Sequence, residues 1–217
     1  MTKFIDLSHT IHHDLLTYKG LPRPVIEDHM ARDASEKNYT PGTTFQIGKI
    51  SMVANTGTYI DAPFHRYEDG KDLAGFELGQ VANLDGVCVA TQATAVGPEH
   101  LPQNGLEGKA LLIATRWHKH WKTDHYTSGQ HPYLTKEAAE HLAGQKVGLV
   151  GIDSYNIDSI ADGSRPVHTA LLRDDIPIVE HMADLTLLVG RTFRFFAVPP
   201  KVQGMGSFPI RAFAIVS

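Results

Sequence analysis

Thr135-Lys136-Glu137-Ala138-Ala139-Glu140-His141-Leu142-Ala143-Gly144, followed after Gln145-Lys146 by Val147-Gly148-Leu149-Val150-Gly151-Ile152-Asp153, decides the fold class. The first run predicts a helix, because Thr135 can accept a backbone N–H as N-cap and Gly144 can stop the helix. The second is a continuous apolar run of strand length, the pattern of a strand buried on both faces. Ala110-Leu111-Leu112-Ile113-Ala114 upstream reads the same way. Strand, helix, strand in that order predicts a crossover and an α/β fold with at least one parallel pair. Gly148 and Gly151 lie within the strand and do not open a helix, so they form no dinucleotide-binding turn.

Outward from there, Val87 to Ala90 is another short buried strand, and Pro98 to Leu101 is at most a helical turn. Phe4 to Ser8, Thr44 to Ala54, Ile176 to Glu180, Phe193 to Val198 and Ile210 to Val216 are read as strands, and Pro166 to Leu172 as a short helix with proline in its first turn. Residues 27 to 43 read as an irregular excursion, and Tyr18 to Pro24, Arg66 to Asp72 and Ser154 to Arg165 as loops. Trp117 to Tyr126 carries aromatic and histidine residues without helical periodicity. It fits a lid or subunit contact better than a metal cluster. His9-Thr10-Ile11-His12-His13-Asp14 matches no standard zinc spacing.

A chain of 217 residues is expected to form one domain spanning residues 1–217, with 42% hydrophobic and 20% charged residues, ordinary for a globular protein. A net charge of −4 leaves no basic footprint for nucleic acid or anionic lipid, and neither partner is expected. The sequence carries no signal-peptide pattern and no membrane-spanning run, so a cytoplasmic location is expected. The lone Cys88 lies in an apolar run and is read as a buried structural thiol.

The chemistry concentrates in Asn55-Thr56-Gly57-Thr58-Tyr59-Ile60-Asp61-Ala62-Pro63-Phe64-His65. Gly57 and Pro63 disfavour a helix, so the segment is read as extended, with Asn55, Tyr59, Asp61 and His65 on one face. A carboxylate and an imidazole so placed can hold a metal or act as a base and its orienting partner.

This segment resembles the signature of the cyclase family, which includes bacterial kynurenine formamidase and isatin hydrolase and reads H-x-G-T-H-x-D-x-P-x-H. Gly57, Thr58, Asp61, Pro63 and His65 match, whereas Asn55 and Tyr59 stand where the family has metal-binding histidines. The resemblance continues through Asp6-Leu7-Ser8, Gly151-Ile152-Asp153, His168, Ile176 to Glu180 and Pro209 to Ala212. It implies a swivelling β/β/α domain, a mixed sheet with flanking helices, assembled as a homodimer or homotetramer. Of the family's two metal sites it leaves Asp61 in the first, and Asp61, His168 and Glu180 in the second. It also makes Tyr18 a pocket residue.

Two carboxylates and a neutral imidazole can balance one divalent ion, manganese or zinc, with positions left for water. Asn55 and Tyr59 replace imidazoles poorly as ligands, because an amide is uncharged and a phenol stays protonated at neutral pH. Tyr59 is therefore read as a hydrogen-bond donor to a substrate carbonyl, and Asn55 as a residue holding Asp61 or a water. Arg66, beside His65, is placed to reach a substrate anion. The leading expectation is a hydrolase of a small cyclic or aryl amide, imide or lactone, with His65 as general base and acid, Asp61 its partner and at most one metal. The alternatives are a metal-independent dehydratase, isomerase or cyclase using Asp61, His65 and Tyr59, and a binding protein without turnover.

Overall fold

The computed structural model describes residues 2–216. Its centre is a nine-stranded mixed sheet. The strands are β1 (Lys3–Asp6), β2 (Tyr59–Asp61), β3 (Leu84–Ala90), β4 (Ala110–Ala114), β5 (Leu149–Ile152), β6 (Ile178–Glu180), β7 (Phe193–Phe196), β8 (Ser207–Pro209) and β9 (Phe213–Val216). Their spatial order is β1-β9-β7-β3-β4-β5-β6-β2-β8. The inner four, β3 to β6, run parallel. The strands added on either side are antiparallel.

Period-two alternation sorts the central strands between two apolar layers. Leu111, Ile113, Val150, Ile152 and Ile178 face a layer closed by Ala138, Ala139 and Leu142 of helix α1 (Lys136–Gly144) and by Val167, Leu171 and Leu172 of α2 (Pro166–Arg173). Ala110, Leu112, Ala114, Leu149 and Val179 face the other layer, which β7, β9 and the chain around Leu7 and Leu185 cover. Both helices thus lie on one face, and the predicted crossover from β4 through α1 to parallel β5 is present.

Thr135 caps α1 by accepting from the Ala138 amide. The helix ends one step later than Gly144 suggests: Gly144 is still helical, Gln145 is the cap, and Lys146 makes the reversal at positive φ. Three other readings are revised. Residues 25 to 30 form a strand, Val25–Met30, paired with Ile47–Ser51 in an exposed two-stranded ribbon. From Glu27 on, the first of these two strands falls in what reads as an irregular excursion, because Glu27, Asp28 and His29 give no apolar alternation to detect. The central motif is extended only as far as Asp61, and Pro63–His65 turns as a 3₁₀ helix. Ser207–Pro209, unforeseen, forms the edge strand β8 beside β2. Among the described residues, no helix is long and apolar enough to cross a membrane.

Candidate active site

Strand β2 lies between two antiparallel neighbours, and its register builds the site. Tyr59 and Asp61 point to the same face because they are two residues apart on a strand. Directly opposite Tyr59 on β6 stands Glu180, and directly opposite Asp61 on β8 stands Ser207. Directly opposed side chains are the ones that meet across a sheet. All four side chains are buried. Gly57, just before β2, has φ +67°, and a Cβ there would lie 2.9 Å from the Ile11 side chain, so only glycine brings the chain in this way.

The Ser207 hydroxyl bonds Asp61 Oδ1 and sits 2.9 Å from His65 Nδ1. A carboxylate can only accept, so the serine proton goes to Asp61, and His65 Nδ1–H donates to the serine oxygen. That tautomer leaves His65 Nε2 with its lone pair on the cavity side, and the imidazole is 37% exposed while Asp61 is sealed. His65 reaches this position from the 3₁₀ turn and not, as expected, from a continuing strand.

His168 enters from α2. The loop carboxylate Asp158 accepts the amides of Val167 and His168 at the helix N-terminus and also binds His168 Nδ1 at 2.6 Å. One residue thereby caps the helix and fixes the ring. His168 Nε2 faces inward, 3.7 Å from Asp61 Oδ2 and 3.9 Å from Glu180 Oε1. Burial works against the imidazolium, but the bond to Asp158 and the nearby carboxylates of Asp61 and Glu180 outweigh it and raise His168 to about 10.

Glu180 is the hub of a second network. Its Oε1 accepts the Ile157 amide, and its Oε2 meets the Tyr59 hydroxyl. Tyr59 also lies 2.8 Å from the Tyr18 hydroxyl, which lies 2.9 Å from the Tyr155 carbonyl and accepts from Asn156 Nδ2. The Tyr18 hydroxyl also lies 3.3 Å from Glu180 Oε2. Burial pushes the Glu180 carboxyl up despite the nearby His168. Burial and Glu180 likewise raise both Tyr18 and Tyr59 well above the ordinary phenol range, so neither forms a phenolate at neutral pH.

These groups converge on a cavity of about 260 Å³, and the sequence candidates Tyr18, Asn55, Tyr59, His65, Arg66, His168 and Glu180 all line it. Asn156 and Arg165 line it as well and carried no sequence signal. Asn55 does not hold Asp61: among the described residues that bond is made by Ser207.

The fit to a divalent cation can be tested on these side chains. Asp61 Oδ2 is fully buried without a hydrogen-bond partner. Asp61, His65 and His168 each offer a donor atom, all within 4.8 Å of one another. His168 is oriented by a carboxylate on its other nitrogen, the arrangement that supports metal-bound imidazoles. The set fits one cation. Glu180, a ligand on the strength of the resemblance, lies outside this group, and its oxygens already bond Ile157 and Tyr59.

The loop read as a lid or contact, around Trp117 and Trp121, packs behind the site. His9 stacks on Trp121 with ring centres 4.0 Å apart, and His181 Nδ1 lies 2.8 Å from the Tyr126 hydroxyl. Cys88 is half-buried with its thiol donating to the Leu185 carbonyl, and burial pushes it up to about 12, which makes it no nucleophile.

Residues 5–159 match the family model named Cyclase, described as "Putative cyclase". Kynurenine formamidase from Bacillus mycoides (strain KBAB4) is 25% identical over 211 residues, covering 97% of this chain and 96% of that protein. The enzyme of the same name from Bacillus cytotoxicus is 26% identical over the same length. Two solved structures share the fold. A "potential metal-dependent hydrolase with cyclase activity" superposes with TM-score 0.80 at 22% identity, covering 100% of this chain and 99% of the other. Isatin hydrolase A from Labrenzia aggregata, bound to benzyl benzoate, superposes with TM-score 0.80 at 20% identity, covering 99% and 94%.

Proposed function

The chain belongs to the cyclase family, and from that premise we propose that it is a hydrolase of a small cyclic or aryl amide, imide or lactone. The observation that carries the reading is the relay from Asp61 through Ser207 to His65, whose free Nε2 meets a cavity able to hold one small ring. The names of the relatives, formamidase and isatin hydrolase, support the same class of bond.

His65 takes a proton from water at Nε2 while Asp61, through Ser207, steadies the imidazolium that forms. The same nitrogen then returns the proton to the leaving nitrogen or oxygen. Tyr59, which stays protonated in the cavity floor, would steady the developing oxyanion by turning its O–H from Glu180 to a substrate oxygen. Asp61 and His168 would hold a divalent cation, manganese or zinc, with His65 beside it. Such an ion, when bound, polarises a carbonyl and acidifies a water.

A second reading, metal-independent acid/base chemistry, is favoured by one observation. Protonated His168 can itself balance the charge of Asp61 in the same space. Metal content separates the two. We also propose a homodimer or homotetramer, because the ribbon of Val25–Met30 and Ile47–Ser51 leaves Val25, Ile26, Ile47 and Ile50 exposed.

The test is a pH-stat screen of aryl formamides, cyclic imides and lactones. Proton release with the wild type and not with His65→Ala supports the hydrolase. Release undiminished in His65→Ala would overturn it.

A further inference from the structure

The cavity has a floor and a rim of opposite character. Glu180, His168 and Tyr59 form the buried floor, with Asp61 sealed beneath it 3.7 Å from His168 Nε2, while Arg66 and Arg165 stand at the rim. Both arginines are held through the first turn of α2. Arg66 Nε donates to Thr169 Oγ1 at 3.2 Å, and the Thr169 amide donates to the Arg165 carbonyl at 2.9 Å. The Arg66 guanidinium also lies over the Tyr67 ring, 5.3 Å from its centre. Arg165 occupies the N-cap position of α2 with φ 49° and ψ 59°, a left-handed conformation that costs a non-glycine residue energy and that clusters at functional sites.

Neither guanidinium has an acidic partner among the described residues. Arg165 NH1 donates to the Ser159 carbonyl, and the rest of each fork is free of protein bonds. Asp162 feels the Arg165 charge only weakly beside its bonds to the Ser164 hydroxyl and amide. Two positioned cations without counter-charges, at the mouth of a cavity with carboxyl groups at its base, impose a direction on any ligand carrying a negative group.

We infer that the substrate carries a carboxylate, or an equivalent planar anion, at the end opposite its reacting carbonyl, and that Arg66 and Arg165 grip it together. A fork of N–H donors matches a carboxylate in plane, and such charge-assisted pairs are stronger than neutral ones. Repulsion between the anion and Asp61 keeps the carboxylate at the rim, so the carbonyl end is delivered to His65. Orientation rests on the hydrolase reading; anion binding does not.

The experiment compares 4-formamidobenzoate with its neutral counterpart 4-formamidobenzamide, on wild type, Arg66→Gln, Arg165→Gln and the charge-retaining Arg165→Lys. The wild type is expected to favour the carboxylate in kcat/KM by about tenfold or more, as a charge-assisted pair would give. That ratio falls towards unity in each Gln variant and is largely kept in Arg165→Lys, and being internal to each protein it is insensitive to partial unfolding. A wild-type ratio near unity, or a ratio unchanged by both Gln variants, overturns the inference. If neither compound is hydrolysed, the hydrolase reading loses support for this bond, and calorimetric binding of the same pair decides the anion site alone. Tighter binding of the carboxylate that Arg165→Gln abolishes supports the site, and equal or undetectable binding of both compounds overturns it.

Discussion

Ser207 and Asp61 face one another across neighbouring strands, and the serine hydroxyl is the link between Asp61 and His65. No direct hydrogen bond replaces it, since His65 Nδ1 is 3.8 Å from Asp61 Oδ1. Ser207→Ala should therefore lower kcat by about tenfold or more with a smaller change in KM, because the base loses its orienting partner and not its substrate contacts. Steady-state kinetics on any substrate found in the screen checks this. Unchanged kcat would remove the relay from the mechanism.

His65→Ala should lower kcat by about 10²-fold or more, the usual cost of a lost acid/base group. Single-turnover rates at saturating substrate separate this from weaker binding. A variant within a few-fold of wild type would assign the proton transfers elsewhere.

Tyr59→Phe keeps the ring and deletes the hydroxyl that joins Glu180 to Tyr18. Buried Glu180 Oε2 then keeps only the longer contact to the Tyr18 hydroxyl, 3.3 Å away, a loss of about 1–3 kcal/mol. Urea unfolding monitored by tryptophan fluorescence should show that loss as a lower midpoint at unchanged slope. A midpoint equal to wild type would mean that the network contributes nothing to the fold.

Acid should destabilise the protein through its buried imidazoles. Burial, then His118 and Lys122, lowers His9 to about 4, and burial, then His9 and His131, lowers His181 well below the ordinary histidine value. Both have an Nε2 that is buried without a partner. An unfolded histidine takes its proton near pH 6.5. Below that pH, and down to about 4 for His9, the unfolded chain binds protons that the folded chain refuses, so stability present above 6.5 is lost as pH falls. The melting temperature should drop between pH 7.5 and 5, and drop less in His9→Gln. A melting temperature that rises towards pH 5 would contradict this reading.

How much of this was legible beforehand follows from the kind of signal each part leaves. The β4, α1 and β5 unit was readable because Thr135 marks a cap and both strands are apolar on two faces. Asp61, Tyr59 and His65 were readable because one local motif carries them. Ser207 was not, since its strand is three residues long, lies at an edge and gets its meaning from the register opposite Asp61. Asp158 sits in a polar loop, and its work as cap and ring anchor depends on partners ten residues away. Arg165 looked like the end of a loop. The one available hint was that a helix opening on Pro166 needs something before it.

The central claim is that this site keeps a single cation position, at Asp61 and His168, while Tyr59 and Asn55 stand where the family's signature has histidines. Elemental mass spectrometry on untagged protein, before and after chelation and reloading with manganese or zinc, tests it most directly. The account predicts about one divalent ion per chain, lost in Asp61→Asn and in His168→Gln. Two ions per chain, or none after reloading, would contradict it.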